Sequence, residues 1–452
     1  MSTSALSVPL EDIPSCFEGI IPSSICTVSA GGVPNVTYIS VVTRVDEGHV
    51  ALSRQFFKKT EENAAINPRA QVQVLEPATG RAFQLDLEFE RTDTDGPMFE
   101  RMRTKLDAVA AHEGMEQVFK LKGVDICRVF SCEMVACDFP QGATRRDVAI
   151  ERVEAAIQRI TAAEDLDDVI QTALESCIDL LGYSHAFVML VDESGEQLYT
   201  VASSGFAASG AGSEVRIGEG VIGLAAERRQ TVRLTNLGRD LNYSTASRGA
   251  RPGAPTAERV IPLPTIASMQ SQMVIPMLAA RKLVGVICLQ SHEAGAFQAA
   301  DECVVGIMAN QVALAMMILG QGERPPTPRV PAPAPPPAPG SVVQVKYYSD
   351  DNTVFIDNEY LIKGVAGGIF WRLLKAFQDE HRSEFSNKEF RLDQTLDLPD
   401  IKDNLEARLI LLRKRLDERG GAIRIEKVSR GRFRLAVEKP LNLVTVNAPG
   451  PM

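Results

Sequence analysis

A proline-rich segment in the last third of the chain constrains its folding more than any other feature of the sequence. Residues 324–340 read RPPTPRVPAPAPPPAPG. Each proline lacks a backbone N–H donor and has a fixed φ, so the segment can neither continue a helix nor join the interior of a sheet. Such a run favours extended polyproline II and acts as a semi-rigid spacer. We therefore expect separately folded units on either side of a linker at 321–341.

The size and composition of the chain are typical of several ordinary globular domains. Its 452 residues exceed what one hydrophobic core usually organises, and 45% hydrophobic with 23% charged residues excludes wholesale disorder. The eight cysteines include no CxxC pair, which is typical of reduced thiols rather than a disulfide framework. No basic region followed by an apolar run opens the sequence, so we expect a cytoplasmic protein that does not enter a membrane.

The first 140 residues show the alternation of half-buried β-strands. The segment AFQLDLEFER at 82–91 alternates apolar and polar side chains, and QVQVL at 71–75 does the same. The segment Met98–Leu121 has helical periodicity. The predicted fold of residues 1–140 is a small, mostly antiparallel β-barrel.

A strand-to-helix transition near residue 55 crowds hydroxyl, amide and cationic side chains together. Free N–H groups at a helix start and nearby cations suit a bound anion. The alternative is a capped helix start whose lysines are simply solvated. The candidate cofactor-binding residues are Ser53, Arg54, Gln55, Lys58, Lys59 and Thr60.

Residues 13–137, with the strand–Ser–Lys–Thr–Asn–helix order that ends in Asn67–Arg69, resemble the FMN-binding split-barrel family of pyridoxamine-phosphate oxidases and their non-oxidase relatives. The resemblance implies a homodimer with FMN between the subunits, its phosphate on the transition near residue 55. The Arg/His substrate motif of the true oxidases is missing, which argues against pyridoxine oxidation. The alternatives are haem, with His49 and His112 as candidate ligands, or an empty barrel that serves as a scaffold.

Between residues 147 and 320 a helical pattern precedes several strands. Ile150, Val153, Ile157 and Ile160 are spaced like a short heptad seam, which either pairs with a second subunit or docks on its own domain. The pattern predicts an α+β domain with a central antiparallel sheet. Its predicted strands are 185–191, 198–203, 273–278 and 283–290, followed by a helix at 299–319.

This region resembles a GAF domain over nearly its whole length, through pieces such as GEGVIGLAAERRQTVRLTN and QMVIPMLAARKLVGVICLQS. The resemblance implies a small-molecule sensor. Ser291–His292 replaces the Asn-Lys pair of the members that bind cyclic nucleotides, which argues against such a ligand. The long polar stretch 235–270 is typical of a ligand lid. The candidate effector-binding residues of this stretch are Tyr243, Arg248, Arg251 and Arg259, the alternative being a solvated loop.

Positive charge is concentrated near the end of the chain. The whole chain has a net charge of −10, yet residues 341–452 hold 19 Lys and Arg against 17 Asp and Glu. A predicted helix at 400–419 has an apolar stripe and a cationic flank, and a hairpin with outward-facing arginines follows it. A cationic helix before a cationic hairpin suits a DNA major groove and its phosphates, although solvated charges give the same pattern. The candidate DNA-binding residues are Asn404, Arg408, Lys414, Arg415, Arg430, Arg432 and Arg434.

Residues 341–440 resemble the winged-helix domain of response regulators, on the leading strands, the FWRLLKAF helix and the segment ARLILLRKRLDERGGAIRIEKVSRGRFRL. Arg432 stands where that class carries an aromatic residue after the turn glycine, and Phe433 follows one place later. No receiver domain precedes this region, which implies that the two upstream domains control it.

These features predict a multidomain α+β protein that is a ligand- or redox-responsive transcription regulator. We expect a homodimer that binds double-stranded DNA, takes a small-molecule effector at the GAF domain and has no catalytic or metal-ligating residues. The alternative is an FMN-dependent oxidoreductase regulated by the downstream domains. The predicted units are a split barrel at 1–140, a GAF domain at 147–320, the linker at 321–341, a winged helix-turn-helix at 342–440 and a tail at 441–452.

Overall fold

Three groups of elements make up the protein in its computed structural model, and they are called the N-terminal, central and C-terminal domains. The structure describes residues 8–18, 23–55, 58–76, 81–113, 120–135, 149–192, 194–235, 261–293, 295–321, 342–392, 405–429 and 431–446.

The N-terminal domain is a seven-stranded antiparallel sheet with two helices. Short 3-10 turns at Leu10–Asp12 and Pro14–Phe17 precede the sheet. The elements are β1 (Ser23–Val28), β2 (Pro34–Ile39), β3 (Val42–Arg44), β4 (His49–Arg54), α1 (Lys58–Ile66), β5 (Arg69–Leu75), β6 (Ala82–Asp93), α2 (Pro97–Glu113) and β7 (Gly123–Val135).

The order of the strands forces this sheet to curl. The order is β2-β1-β5-β6-β7-β4-β3, so β2 and β3 are opposite edges although only Ser40 and Val41 separate them in the chain. Three Cα–Cα steps span at most about 11 Å, whereas six strand spacings of a flat sheet span about 29 Å. The edges must therefore approach each other, so the sheet forms a half-barrel where the sequence predicted a small antiparallel β-barrel. The core inside it includes Val72, Leu85 and Leu87.

The central domain is a six-stranded antiparallel sheet covered by helices, and its strands confirm the predicted ones to within two residues. A π-helical turn, Ser176–Leu180, follows the second helix. The elements are α3 (Ile150–Ala162), α4 (Leu166–Glu175), β8 (His185–Val191), β9 (Gln197–Ser204), β10 (Glu214–Arg216), α5 (Gly220–Arg228), β11 (Val232–Thr235), β12 (Ser271–Ala279), β13 (Lys282–Ser291) and α6 (Ala299–Gln321), with strand order β10-β9-β8-β13-β12-β11.

The heptad-like seam of α3 packs inside its own domain. Val153 and Ile160 are buried in the central core and Ile157 packs against it, whereas Ile150 is 77% exposed. Of the two alternatives for this seam, the structure therefore has the docked one. Helix α6, beside it, is the one described helix long and apolar enough to span a membrane, over Ala299–Leu319, and a third of that stretch is buried in the protein.

The C-terminal domain has two small sheets around three helices. Its elements are β14 (Val343–Tyr348), β15 (Thr353–Ile356), β16 (Glu359–Ile362), α7 (Gly364–Glu380), β17 (Glu384–Ser386), α8 (Asn387–Leu392), α9 (Leu405–Glu418), β18 (Ile423–Ser429), β19 (Arg432–Val437) and β20 (Leu441–Val446), with strand orders β16-β15-β14-β20 and β17-β19-β18.

The end of the chain corrects one predicted boundary. The predicted domain ends at 440 and leaves 441–452 as a tail. Strand β20 instead pairs in parallel with β14, from Val343 opposite Leu441 to Tyr348 opposite Val446. Its leucines pack against the domain core, so the domain extends to Val446.

Candidate functional site

The transition from β4 to α1 holds the six side chains predicted to bind a cofactor. Ser53 is buried and its Oγ accepts a hydrogen bond from the backbone N of Val41, at 3.1 Å. Thr60 is also buried and its Oγ1 accepts from Asn35 Nδ2 at 3.2 Å. Lys58 and Lys59 are exposed and begin α1. Their charges therefore lie where the first backbone N–H groups of a helix have no intrahelical partner.

Arg54 is committed to protein carboxylates. Its Nε and Nη2 donate to the two carboxylate oxygens of Asp125 at 3.0 and 2.7 Å, and its Nη1 donates to Glu61 at 2.9 Å. Such a bidentate pair fixes the geometry of both partners. Arg54 thus connects β4 to β7 and α1. Lys58 and Lys59, by contrast, make no ion pair with the described residues.

Gln55 supplies an unsatisfied donor at the same transition. The residue is 3% exposed, and its Oε1 accepts a hydrogen bond from Ser40 Oγ at 3.3 Å. Its buried Nε2 has no hydrogen-bond partner among the described residues. A buried donor without a partner costs about 1–3 kcal/mol, which an acceptor oxygen bound here would recover. Gln55, Lys58 and Lys59 therefore fit a phosphate group such as that of FMN.

His49, the first candidate haem ligand, already contacts two carboxylates. His49 Nδ1 lies 2.8 Å from Asp46 Oδ1, and its Nε2 lies 3.5 Å from Glu90 Oε2. An axial metal bond needs one of these nitrogens, so it would displace a carboxylate contact. The side chain of His112 lies outside the described residues.

The central domain has a buried structural carboxylate at the start of α6. Asp301 is buried in the first turn of α6, accepts a hydrogen bond from Tyr183 Oη at 2.7 Å and accepts another from the Gln298 backbone N at 2.8 Å. The ring of Phe297 packs 5.9 Å from that of Tyr183. The predicted effector-binding residues Tyr243, Arg248, Arg251 and Arg259 lie outside the described residues.

The cationic flank of α9, predicted to face DNA, faces the central domain in this structure. The Arg408 guanidinium carbon lies 3.9 Å from the centre of the Tyr199 ring in β9. Leu411 is 3% exposed, and its Cδ1 lies 3.5 Å from the place where a Cβ on Gly212 would stand. The sequence signal for this contact was Leu411 itself. The solvent-facing side of an amphipathic helix is normally polar, so a leucine on the cationic flank indicates that this flank is covered.

Of the other predicted cations of α9, Arg415 also has protein partners and Lys414 is half-buried. Arg415 Nε donates to the carbonyl of Leu361 at 3.1 Å, and its Nη1 lies 2.6 Å from Glu418. Burial lowers the pKa of Lys414, against the opposing charge of Asp167. Asn404 lies outside the described residues.

Three carboxylates at the start of α4, called the α4 carboxylates, meet cations of the C-terminal domain. They are Asp165, Asp167 and Asp168. Arg413 of α9 pairs with Asp167, and Lys427 of β18 pairs with Asp165 and lies 3.6 Å from Asp168. Burial alone would lower the pKa of Lys427, but its hydrogen bond to Asp165 and the carboxylate charges raise it.

The hairpin of β18 and β19 buries its apolar residues, but of the arginines predicted to face outward only Arg434 is exposed among the described residues. Phe433 and Leu435 are buried, Arg434 is exposed and its Nη2 donates to Glu384 at 2.8 Å. Arg432 is half-buried and lines a cavity of about 60 Å³ beside the α4 carboxylates. Arg430 lies outside the described residues.

Comparison with known proteins identifies the central domain. Residues 163–317 match the family profile described as GAF domain. This part of the chain is therefore a GAF domain, as predicted, within a multidomain α+β protein. No curated protein matches the chain.

Several solved structures are similar to parts of the chain. The GAF domain of an Acinetobacter phosphoenolpyruvate-protein phosphotransferase is 19% identical, with 38% of this chain and 96% of that chain covered and a TM-score of 0.32. An FMN-binding protein from Syntrophomonas wolfei is 19% identical, with coverages of 28% and 86% and a TM-score of 0.25. HupZ from Group A Streptococcus is 17% identical, with coverages of 29% and 98% and a TM-score of 0.23.

Proposed function

We propose that this protein is a ligand- or redox-responsive transcription regulator whose C-terminal domain binds double-stranded DNA. In support of this, the strands β14 to β16 precede the three helices of the domain, and the hairpin of β18 and β19 follows its last helix, which is the order of elements expected for a winged helix-turn-helix. Its last helix and hairpin carry the largest local excess of positive charge in the sequence, which is the electrostatic feature that DNA phosphates need.

The observation that carries the proposal is the contact between the α4 carboxylates and this cationic surface. Arg413 and Lys427 neutralise carboxylates of the GAF domain, and Arg408 stacks on Tyr199. DNA phosphates would need the same cations, so the two partners exclude each other. The conformation described here is then the closed, DNA-free form of the regulator.

The mechanism is a shift of population between closed and open forms. A ligand that binds the open form more tightly than the closed form raises the open fraction by that difference in affinity, and only by that difference. In the open form the winged helix leaves the GAF domain, and the proline-rich linker lets two such domains reach DNA. The effector would act at the GAF domain or at a flavin in the barrel.

Substitutions in the GAF domain that weaken the closed form provide the test. The double variant Asp167→Asn/Asp168→Asn removes two of the α4 carboxylates and changes no residue of the C-terminal domain. We expect it to bind a fluorescein-labelled duplex of random sequence about ten-fold more tightly than the wild type, because two ion pairs worth together about 1.4 kcal/mol no longer favour the closed form. Fluorescence anisotropy measures the change.

Asp179→Asn is the matched control, since Asp179 is an exposed carboxylate of the same domain at the end of the turn that follows α4. It should bind DNA as the wild type does. Adding Arg408→Glu to the double variant should reduce the affinity at least ten-fold. Unchanged affinity in both the double and the triple variant contradicts DNA binding by this surface.

A further inference from the structure

A cleft of about 330 Å³ lies between the N-terminal and central domains. Arg44 of β3 and Lys105 of α2 line it from the N-terminal side, and Thr231, just before β11, and Ala299 of α6 line it from the central side. Its volume is at the lower end of the range for sites that hold small molecules. It is separate from the β4–α1 transition and from the α4 carboxylates.

The walls of the cleft are held together by ion pairs between the two domains. Arg233 of β11 pairs with Glu18 of the N-terminal domain, and both side chains are nearly buried. Its Nε also lies 3.4 Å from Glu302 of α6. Arg228 of α5 lies 2.6 Å from Asp107 of α2. The cleft is therefore formed before any ligand binds.

Three cations that line the cleft, called the cleft cations, have no carboxylate partner in the described part of the chain. They are Arg44, Arg101 and Lys105. Arg101 and Lys105 are four residues apart on α2, where like charges repel each other. With Arg233, four cations face the carboxylates of Glu18 and Glu302, so the cleft has an excess of about two positive charges.

The excess of positive charge in the cleft contributes to a lowered pKa of Lys105. Burial lowers its pKa to about 8, the Glu18 charge opposes that shift, and the charges of Arg233 and Arg101 add to it. A bound anion would supply the negative charge that the protonated amine lacks.

The remaining lining of the cleft is partly apolar. The side chains of Phe17, Met98 and Met102 contribute to the wall beside the cleft cations. A ligand that matches this wall has a compact dianionic group and an apolar body. We propose that the cleft binds a small organic phosphate monoester, with its phosphate among the cleft cations and its organic part against Phe17 and the two methionines.

Guanidinium groups favour phosphate because their N–H donors match its oxygens in pairs. A phosphate monoester also carries a charge of about −1.5 to −2 near neutral pH, which matches the charge excess of the cleft. Binding to the cleft is independent of the proposed function, but any effect of the ligand on DNA binding rests on it. Glu302 of the cleft lies in the first turn of α6, so the ligand would act on the helix that runs along the GAF domain.

Calorimetric titration of the full-length protein with phenyl phosphate, inorganic phosphate and succinate, all at one ionic strength, tests the proposal without any DNA. We expect phenyl phosphate to bind at least ten-fold more tightly than inorganic phosphate, because only the ester fills the apolar part. Succinate, which has two carboxylates, should bind more weakly than phenyl phosphate. Tighter binding of succinate overturns the assignment to phosphate, and no heat with phenyl phosphate at millimolar concentration overturns the site.

Lys105→Met and Arg101→Gln should each weaken phenyl phosphate at least ten-fold. The control is Lys282→Met, because Lys282 is an exposed lysine at the start of β13 that does not line the cleft. Equal affinity in Lys105→Met, Arg101→Gln and the control places the binding elsewhere. Two variants on one helix keep the test valid if one of them fails to fold.

The affinity should depend on pH with a sign fixed by Lys105. The dianion favours the protonated amine, so the affinity falls as pH rises through about 8, by up to ten-fold between pH 7 and 9. The groups that face Lys105 are Arg101 on its own helix, Arg44, Arg233, Glu18 and Glu302. Lys105→Met should remove this dependence, and a wild-type affinity that is constant over the range contradicts the role of Lys105.

Discussion

At the scale of single residues, the start of α1 decides whether the barrel can hold a flavin phosphate. Lys58 and Lys59 are exposed there, and the Nε2 of Gln55 is buried without a partner in the described part of the chain. These groups can hold a phosphate without breaking an existing contact. Arg54 cannot do so without leaving Asp125.

The flavin hypothesis predicts the effect of removing the two lysines. Lys58→Ala/Lys59→Ala should weaken FMN at least ten-fold, because two charges beside the phosphate are lost. Quenching of FMN fluorescence during titration into the protein measures the affinity. The control Lys439→Ala removes an exposed lysine of the C-terminal domain and should leave it unchanged. Absence of FMN binding by the wild type would leave the barrel as a scaffold.

The roles of these residues could be predicted from sequence only in part. The crowding of hydroxyls and cations near residue 55 is local in the chain, and so it is visible without a structure. The commitment of Arg54 is not local, because its partner Asp125 is 71 residues away on β7. Likewise, no local pattern marks the cleft, whose cations come from β3, α2 and β11.

At the scale of elements, α6 has two apolar faces with different environments. Val305, Met308 and Val312 are buried in the GAF core. Ile307 and Ile318 are 54% and 65% exposed on the other side. Exposed apolar residues in a row on one helix are typical of a surface that a partner covers. A second copy of this chain is the partner that the proposed regulator needs, since paired winged helices read paired DNA sites.

Charged residues in place of Ile307 and Ile318 on α6 should weaken self-association. Ile307→Glu/Ile318→Glu places two charges on the exposed face of α6, so the dissociation constant of the dimer should rise at least ten-fold. Sedimentation equilibrium measures it. Val342→Glu is the matched control, because Val342 is 58% exposed just before β14 and lies outside both the barrel and α6. A dissociation constant equal to that of the control would remove α6 from the dimer contact.

The elements themselves were largely predictable because hydrophobic periodicity records which face is buried. The strands β8, β9, β12 and β13 follow from it to within two residues. Hydrophobic periodicity does not show which other element covers a buried face. The pattern of α9 showed an apolar stripe and a cationic flank, but Leu411 shows that this flank is buried too, against another domain.

At the scale of the whole molecule, the boundary before the C-terminal domain follows from composition, because a proline run cannot be part of a packed unit. The boundary before the central domain follows from the change to a helical pattern near residue 147. The arrangement of these domains follows from neither. The pairs of Asp167 with Arg413 and of Asp165 with Lys427 join residues about 250 positions apart, and each looks like an ordinary surface charge in the sequence. The apolar alternation of β20 was visible, but its partner strand begins the domain, nearly 100 residues earlier.

The α4 carboxylates have one more consequence, which concerns counterions. Salt weakens DNA binding because each neutralised phosphate releases a condensed cation. Salt also screens the ion pairs of the closed form, so raising it opens the protein while it loosens the DNA complex. The plot of log affinity against log salt should then be shallower for the wild type than for Asp167→Asn/Asp168→Asn. Anisotropy titrations over about 50 to 200 mM salt measure both slopes, and equal slopes would mean that the α4 carboxylates do not compete with DNA. A regulator with such an internal competitor binds DNA with an affinity partly buffered against changes in the ionic strength around it.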